Sequence, residues 1–153
     1  MLKRLPIITL CAVNGVAAAA GFQMALTCDL IVATEKSTFS TPGVKWGLFC
    51  STPGVQLVRS INSEKKANEM LLFGEPITAQ EAFSYGLINK VVPNDKLEEE
   101  VSSYIAKANK LSGEVIGLGK RVLSQQSCLD LEQAYNVAIE GMRENIMEKE
   151  DCR

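Results

Sequence analysis

The sequence predicts an α/β fold whose strands crowd the first part of the chain and whose last part is helical. Three observations carry this reading. Ile7 to Val13 is an unbroken apolar, β-branched run after Pro6, which fits a buried strand. Asn14-Gly15 then turns the chain, a helix runs from Ala20 to about Cys28, and a second apolar run follows from Leu30 to Ala33, giving strand, helix, strand. Beyond Pro93 the apolar residues recur at helical spacing, as Leu97, Val101, Ile105 and Ala108, and later as Leu131, Ala134, Ala138 and Met142.

Taken in order, the first helix offers Phe22, Met24, Ala25 and Cys28 as an apolar face. A third short strand spans Ser37 to Ser40, reached through Glu35-Lys36. From Thr41 to Gly54, three glycines and two prolines exclude a long regular element, while Val44, Trp46, Leu48 and Phe49 predict a loop buried on one side, with Trp46 in the core. Thr52 followed by Pro53 predicts a helix start, cap then proline, running to about Ser60. Another helix covers Ser63 to Phe73 and stops at Gly74. Thr78-Ala79-Gln80-Glu81 is a capping box that opens a short helix to Tyr85, ended by Gly86. Leu87 to Val92 is a strand closed by Pro93-Asn94, and helices follow over about 95–111, 114–126 and 130–147. The strands are too few for a freestanding sheet with both faces covered, so the chain reads as part of a larger fold.

Composition narrows the chemistry. Hydrophobic residues are 46% and charged residues 22% of the 153, the balance of a globular domain. A net charge of −2 argues against a nucleic-acid surface, which needs clustered Lys and Arg. The absence of histidine removes the commonest general base and metal ligand, and any Ser-His-Asp or Cys-His triad within this chain. Five cysteines (Cys11, Cys28, Cys50, Cys128, Cys152) are odd in number and form no CxxC pair, so they read as free thiols in a reducing compartment and no metal site is expected. Lys3-Arg4, the apolar run and Ala17-x-Ala19 imitate a signal peptide, but Asn14-Gly15 breaks that run. No stretch has the length and apolarity to span a membrane as a helix.

The order of motifs is specific. "NGVAAAAGFQMALTCDLIVATEKSTFSTPGVKWGLFCSTPGVQLVRSI", followed by "NEMLLFGEPITAQEAFSYGLINKVVP", resembles the crotonase, or enoyl-CoA hydratase/isomerase, superfamily over about residues 6 to 147. "STFSTPGV", "GLFCSTPGV" and "GEPITAQEA" resemble most closely a mitochondrial branch of it. The resemblance implies a crotonase-like β-β-α spiral core, present in part over 1–93, followed over 94–153 by C-terminal helices that mediate trimerisation. It implies coenzyme A thioesters as ligands with no cofactor or metal, a homotrimer or hexamer when full length, and a mitochondrial location whose targeting segment is not in this chain. It also implies that the family's N-terminal part, with one oxyanion amide and much of the CoA pocket, and its basic C-terminal stretch lie outside these residues.

The same resemblance places the second oxyanion amide on Ala20, at the start of a helix. The physics of a helix N-terminus, with unpaired N–H groups and a positive dipole end, agrees. Ala18, Ala19, Ala20 and Gly21 let a ligand approach the backbone, although alanines here also suit close packing of helix on strand. Hydratases of the family use two carboxylates to activate water and protonate carbon. By resemblance these fall at Gln23 and Gly43, so both acids are absent, and Gln23 can only hydrogen-bond. Leu48 and Ser51 fall on the substrate-facing loop, Ser51 where some relatives carry an aspartate. Cys50 reads as a buried apolar residue, Lys45 as a solvated or salt-bridged cation, Asp29 as a cap at a chain reversal, and Glu69 as the partner of Lys65 or Lys66. The reading that follows is a non-hydratase family member that keeps acyl-CoA recognition in fatty-acid metabolism. The alternatives are a thioesterase, decarboxylase or isomerase using residues outside this chain, and a truncated isoform without function.

Overall fold

The computed structural model describes residues 2–151, with side chains described to Met147, so the expected free thiol of Cys152 lies outside the described residues. The chain divides into two compact units. One is Leu10–Ile105; the other joins the segment up to Thr9 with the segment from Ala106 onward.

The unit Leu10–Ile105 is a mixed α/β spiral. Its strands are β1 (Leu10–Val13), β2 (Val16–Ala18), β3 (Leu30–Thr34), β4 (Thr38–Ser40), β5 (Ile77–Thr78) and β6 (Lys90–Val92). They form two three-stranded sheets, ordered β1-β3-β6 and β2-β4-β5. The first is parallel throughout, with Cys11 opposite Ile31 and Val32 opposite Lys90. In the second, β2 runs parallel to β4 and β5 antiparallel to it. Each of the first two passes of the chain therefore adds a strand to the first sheet, turns at a short corner and adds a strand to the second; β5 then joins the second sheet before β6 joins the first.

The corners are held by buried hydroxyls. Ser37 Oγ donates to Val13 O at 2.9 Å, accepts from Gly15 N at 3.1 Å and lies 2.8 Å from Thr34 Oγ1, so two successive β corners share one hydroxyl. Gly15, at φ +129°, takes a backbone conformation that the Asn-Gly signal anticipates. The signal did not reveal that the small residues after it form β2; they pair with β4, a tertiary event that local propensity does not encode.

Helices cover the sheets. α1 (Ala20–Thr27) buries Phe22, Ala25 and Leu26, whereas Met24, expected on its apolar face, is 60% exposed. A spacing of three and four residues on from Phe22 selects Ala25 and Leu26 instead. The rings of Phe22 and Phe39 lie 5.4 Å apart and tilted by 51°, joining α1 to β4 in the core. α2 (Ser51–Ser60) begins before the expected Thr52-Pro53 start, its first helical bond running from Gly54 N to Cys50 O. Pro53 remains in the first turn, where its missing N–H has no helical partner to lose. α3 (Glu64–Phe73) is capped by Ser63 and closed by Gly74 at φ +67°, and α4 (Ala79–Ser84) carries the complete Thr78–Glu81 capping box. α5 (Leu97–Ala108) starts after a 3-10 turn, with Leu97 and Val101 half-buried and Ile105 exposed.

In the other unit, α6 (Gly113–Gln126) and α7 (Leu131–Asp151) pack as a helical hairpin. Gly141 is buried against Val122, which leaves no room for a Cβ. The face turned to α6 is Ala134, Val137, Ala138 and Gly141. Leu131 and Met142, expected to share that face, are instead exposed, Leu131 at 76%. Small residues let the helices approach closely, which turns the larger apolar side chains outward.

Candidate functional site

The N-terminus of α1 is built from a constrained corner. Ala19 caps the helix at φ 48°, ψ −116°, and its N–H donates to Ser40 O at 3.0 Å, pinning the corner to β4. The first helical bond is Gln23 N to Ala19 O at 2.9 Å, so the amides of Ala20, Gly21 and Phe22 precede the ladder. Ala20 and Gly21 are exposed, and a Cβ at Gly21 would meet open space. The arrangement presents N–H groups and the positive end of the helix dipole where an oxyanion can approach the backbone. Gln23 lies half-buried one turn in, its carbonyl accepting from Thr27 Oγ1 at 2.7 Å.

β4 leads directly into the second half of the site. Three residues after Ser40, Gly43 lies in a 3-10 turn, Pro42–Trp46, which Gly47 closes at φ +72°. This turn is moored to the end of α3, since Thr41 Oγ1 donates to Met70 O at 2.7 Å and Gly74 abuts Thr41 and Pro42. Gly43 is enclosed by its own loop. Its N–H donates to Cys50 Sγ at 3.3 Å and its carbonyl accepts from Leu48 N at 2.9 Å. A Cβ on Gly43 would overlap the Leu48 carbonyl oxygen and stand 2.8 Å from Cys50 Sγ. The space that a side chain needs here is filled by backbone.

The structure thus brings Gly43, Leu48 and Cys50 into one tight turn, and the Ser40 carbonyl joins the strand ahead of it to the Ala19 corner. Ser51 opens α2, which packs on α1, and is exposed. Cys50 is buried, as its sequence context suggests. Lys45 pairs with Glu75 at 2.8 Å and Lys66 with Glu69 at 3.0 Å. Asp29 sits in the link between α1 and β3, at the far end of the helix from the exposed amides. Trp46 corrects the expectation of a core residue, being 83% exposed with Leu48 and Phe49 also at the surface. The short turn has a single inner face, which Thr41, the half-buried Val44 and Cys50 occupy. Sequence reasoning missed the Ala19 geometry; the run of small residues is its only local trace.

Comparison with known proteins bears on this geometry. The family profile described as enoyl-CoA hydratase/isomerase matches residues 1–153. The chain belongs to the enoyl-CoA hydratase/isomerase family. Within that family it is 47% identical over 150 residues to the enoyl-CoA hydratase domain-containing protein 3, mitochondrial, of Rattus norvegicus, covering 98% of this chain and 50% of that protein. The crystal structure of the human enoyl-CoA hydratase domain-containing protein 3 superposes with a TM-score of 0.91 at 46% identity, over 95% of this chain and 57% of that one. A Thermobifida fusca family structure solved in complex with CoA gives a TM-score of 0.91 at 26% identity, over 98% and 58% of the two chains. The chain spans about half the length of the curated relatives it matches.

Proposed function

We propose that this chain carries half of an acyl-CoA thioester site that binds and polarises the thioester carbonyl without hydrating it. The oxyanion donors are the amide of Ala20 and one amide from outside these residues. Gly21 admits the ligand to the backbone, Gln23 orients the carbonyl or a water by hydrogen bonding, and Leu48 and Ser51 line the approach. The CoA complex of the Thermobifida fusca relative supports the ligand class. The observation that carries the non-hydratase reading is the enclosure of Gly43, where backbone fills the position of the family's second acid. Gln23, at the position of the first, has no pKa from which to exchange a proton at neutral pH. The role belongs to fatty-acid and acyl-CoA metabolism in the mitochondrion, in line with the names of the relatives. A homotrimer or hexamer is the assembly we propose for the full-length protein, and the exposed apolar row on α7 supports it.

The test uses protein that includes the family's N-terminal half. Titration with crotonyl-CoA is expected to give saturable binding, while the enoyl absorbance stays constant over hours. Hydration at a rate near that of a true hydratase sinks the proposal. So does failure of a folded sample to bind any acyl-CoA.

A further inference from the structure

We propose that Asn14 is a modification site that converts spontaneously to aspartate and isoaspartate when the β1–β2 corner opens, and that Ser37 keeps it unreacted while the corner is closed. The inference does not depend on the acyl-CoA reading. Asn14 is exposed and precedes Gly15, where no Cβ shields the backbone nitrogen from the side-chain amide of the residue before it. An asparagine so placed closes readily into a succinimide ring. Closure requires the Gly15 nitrogen to shed its proton and turn toward Asn14 Cγ. The fold opposes both. Gly15 N donates to Ser37 Oγ at 3.1 Å and Gly15 O accepts from Thr38 N at 3.1 Å, so the backbone is held on both sides of the glycine Cα. Ser37 is itself fixed. It is fully buried, donates to Val13 O at 2.9 Å and lies 2.8 Å from Thr34 Oγ1, so its one proton and both lone pairs are engaged.

The reaction needs only water. When the corner opens, the Gly15 nitrogen bonds to Asn14 Cγ, the Cγ–Nδ2 bond breaks, and Nδ2 leaves as ammonia with the proton that Gly15 has lost. Water then opens the ring. Attack at Cγ restores the ordinary backbone with an aspartate side chain. Attack at the other ring carbonyl leaves the chain running through Cγ, as isoaspartate, with one more atom in the backbone. That atom falls between β1, in register with β3, and β2, in register with β4. Neither register has room to absorb it, so the isoaspartate form does not reclose the corner as before. Conversion at Asn14 thus records, irreversibly, that this corner has opened.

The experiment incubates the full chain at mildly alkaline pH and physiological temperature, folded or in guanidinium chloride, and follows it by trypsin digestion and mass spectrometry. Residues 5–36 contain no internal Lys or Arg and emerge as one peptide, with Asn14 as its sole asparagine. The product is that peptide with an amide NH2 replaced by OH, assigned to Asn14 by fragmentation, with isoaspartate separated by chromatography. The folded chain is expected to convert at least about tenfold more slowly than the denatured one, since it reacts only through local opening. Ser37→Ala takes the acceptor from the Gly15 N–H and is expected to speed conversion of the folded chain roughly fivefold. Ser37→Cys, closer in size and a weak acceptor, should act in the same direction should the alanine variant fail to fold. Thr41→Val removes a different buried hydroxyl bond, that to Met70 O, and should leave the rate unchanged. Three results overturn the proposal. Asn14 converts as fast in the folded chain as in guanidinium chloride, a folded Ser37 variant converts no faster than the native chain, or Thr41→Val accelerates conversion as much as the Ser37 variants do.

Discussion

Ala19 holds a backbone geometry that suits glycine, the one positive-φ residue other than glycine among the described residues. Such conformations cost on the order of 1–3 kcal/mol, and here the Ser40 carbonyl and the start of α1 hold the residue in place. Ala19→Gly is expected to raise stability by about 1 kcal/mol in urea unfolding, and Ala19→Val to lower it. Gly43 behaves oppositely, since its φ is ordinary and its problem is space. Gly43→Glu is expected to lower stability by roughly 1–3 kcal/mol through overpacking against Leu48 and Cys50. Gln23→Glu, half-buried at the edge of α1, is expected to fold normally, and neither single change should produce crotonyl-CoA hydration. That Gln23 and Gly43 are the positions to inspect was legible, because a motif singles them out. The strain at Ala19 and the filled pocket at Gly43 were not, because both arise from loops returning on themselves, Ser40 to Ala19 and Leu48 to Gly43.

Among elements, the capping box of α4 shows what sequence encodes well, since all its partners lie within four residues. Thr78 Oγ1 accepts from Glu81 N at 3.2 Å, and the Glu81 carboxylate accepts from Thr78 N at 2.8 Å. Thr78→Ala is expected to cost about 1 kcal/mol by thermal or urea unfolding. The backbone and hydroxyl donors of Thr78 hold the Glu81 carboxyl below its usual 4.5. Its stabilisation is therefore present above that value and lost as pH falls through the depressed one, so Glu81→Gln should flatten acid unfolding in that range. β1 gives the alkaline counterpart. With Cys11 raised from 9.0 to about 11, the fold favours the protonated thiol, so stability falls as pH rises between those values. Cys11→Ser should remove that slope. Trp46 marks the limit of such reading, because an apolar residue on a turn is buried only if another part of the molecule covers it.

At the scale of the whole molecule, α7 exposes a row of apolar residues: Leu131, Tyr135, Ile139, Met142 and Ile146. Their steps of three and four residues form a continuous stripe. Sedimentation should show self-association of the chain that rises with concentration, and Ile139→Glu should reduce it without loss of helix. The sequence pattern revealed the helix and placed Ala134 and Ala138 on its packed face, but it also put Leu131 and Met142 there, where Gly141 wins contact by being small. The two sheets carry a further consequence. β1 and β2 follow one another along the chain, yet each stands at the edge of its sheet, whereas β3 is central and its Val32 and Ala33 are fully buried. Val16, on β2, is 79% exposed. Protection from deuterium exchange should therefore be slowest to fade in β3 and faster along the edge strands, with the exposed Val16 edge of β2 among the places where the fold begins to breathe.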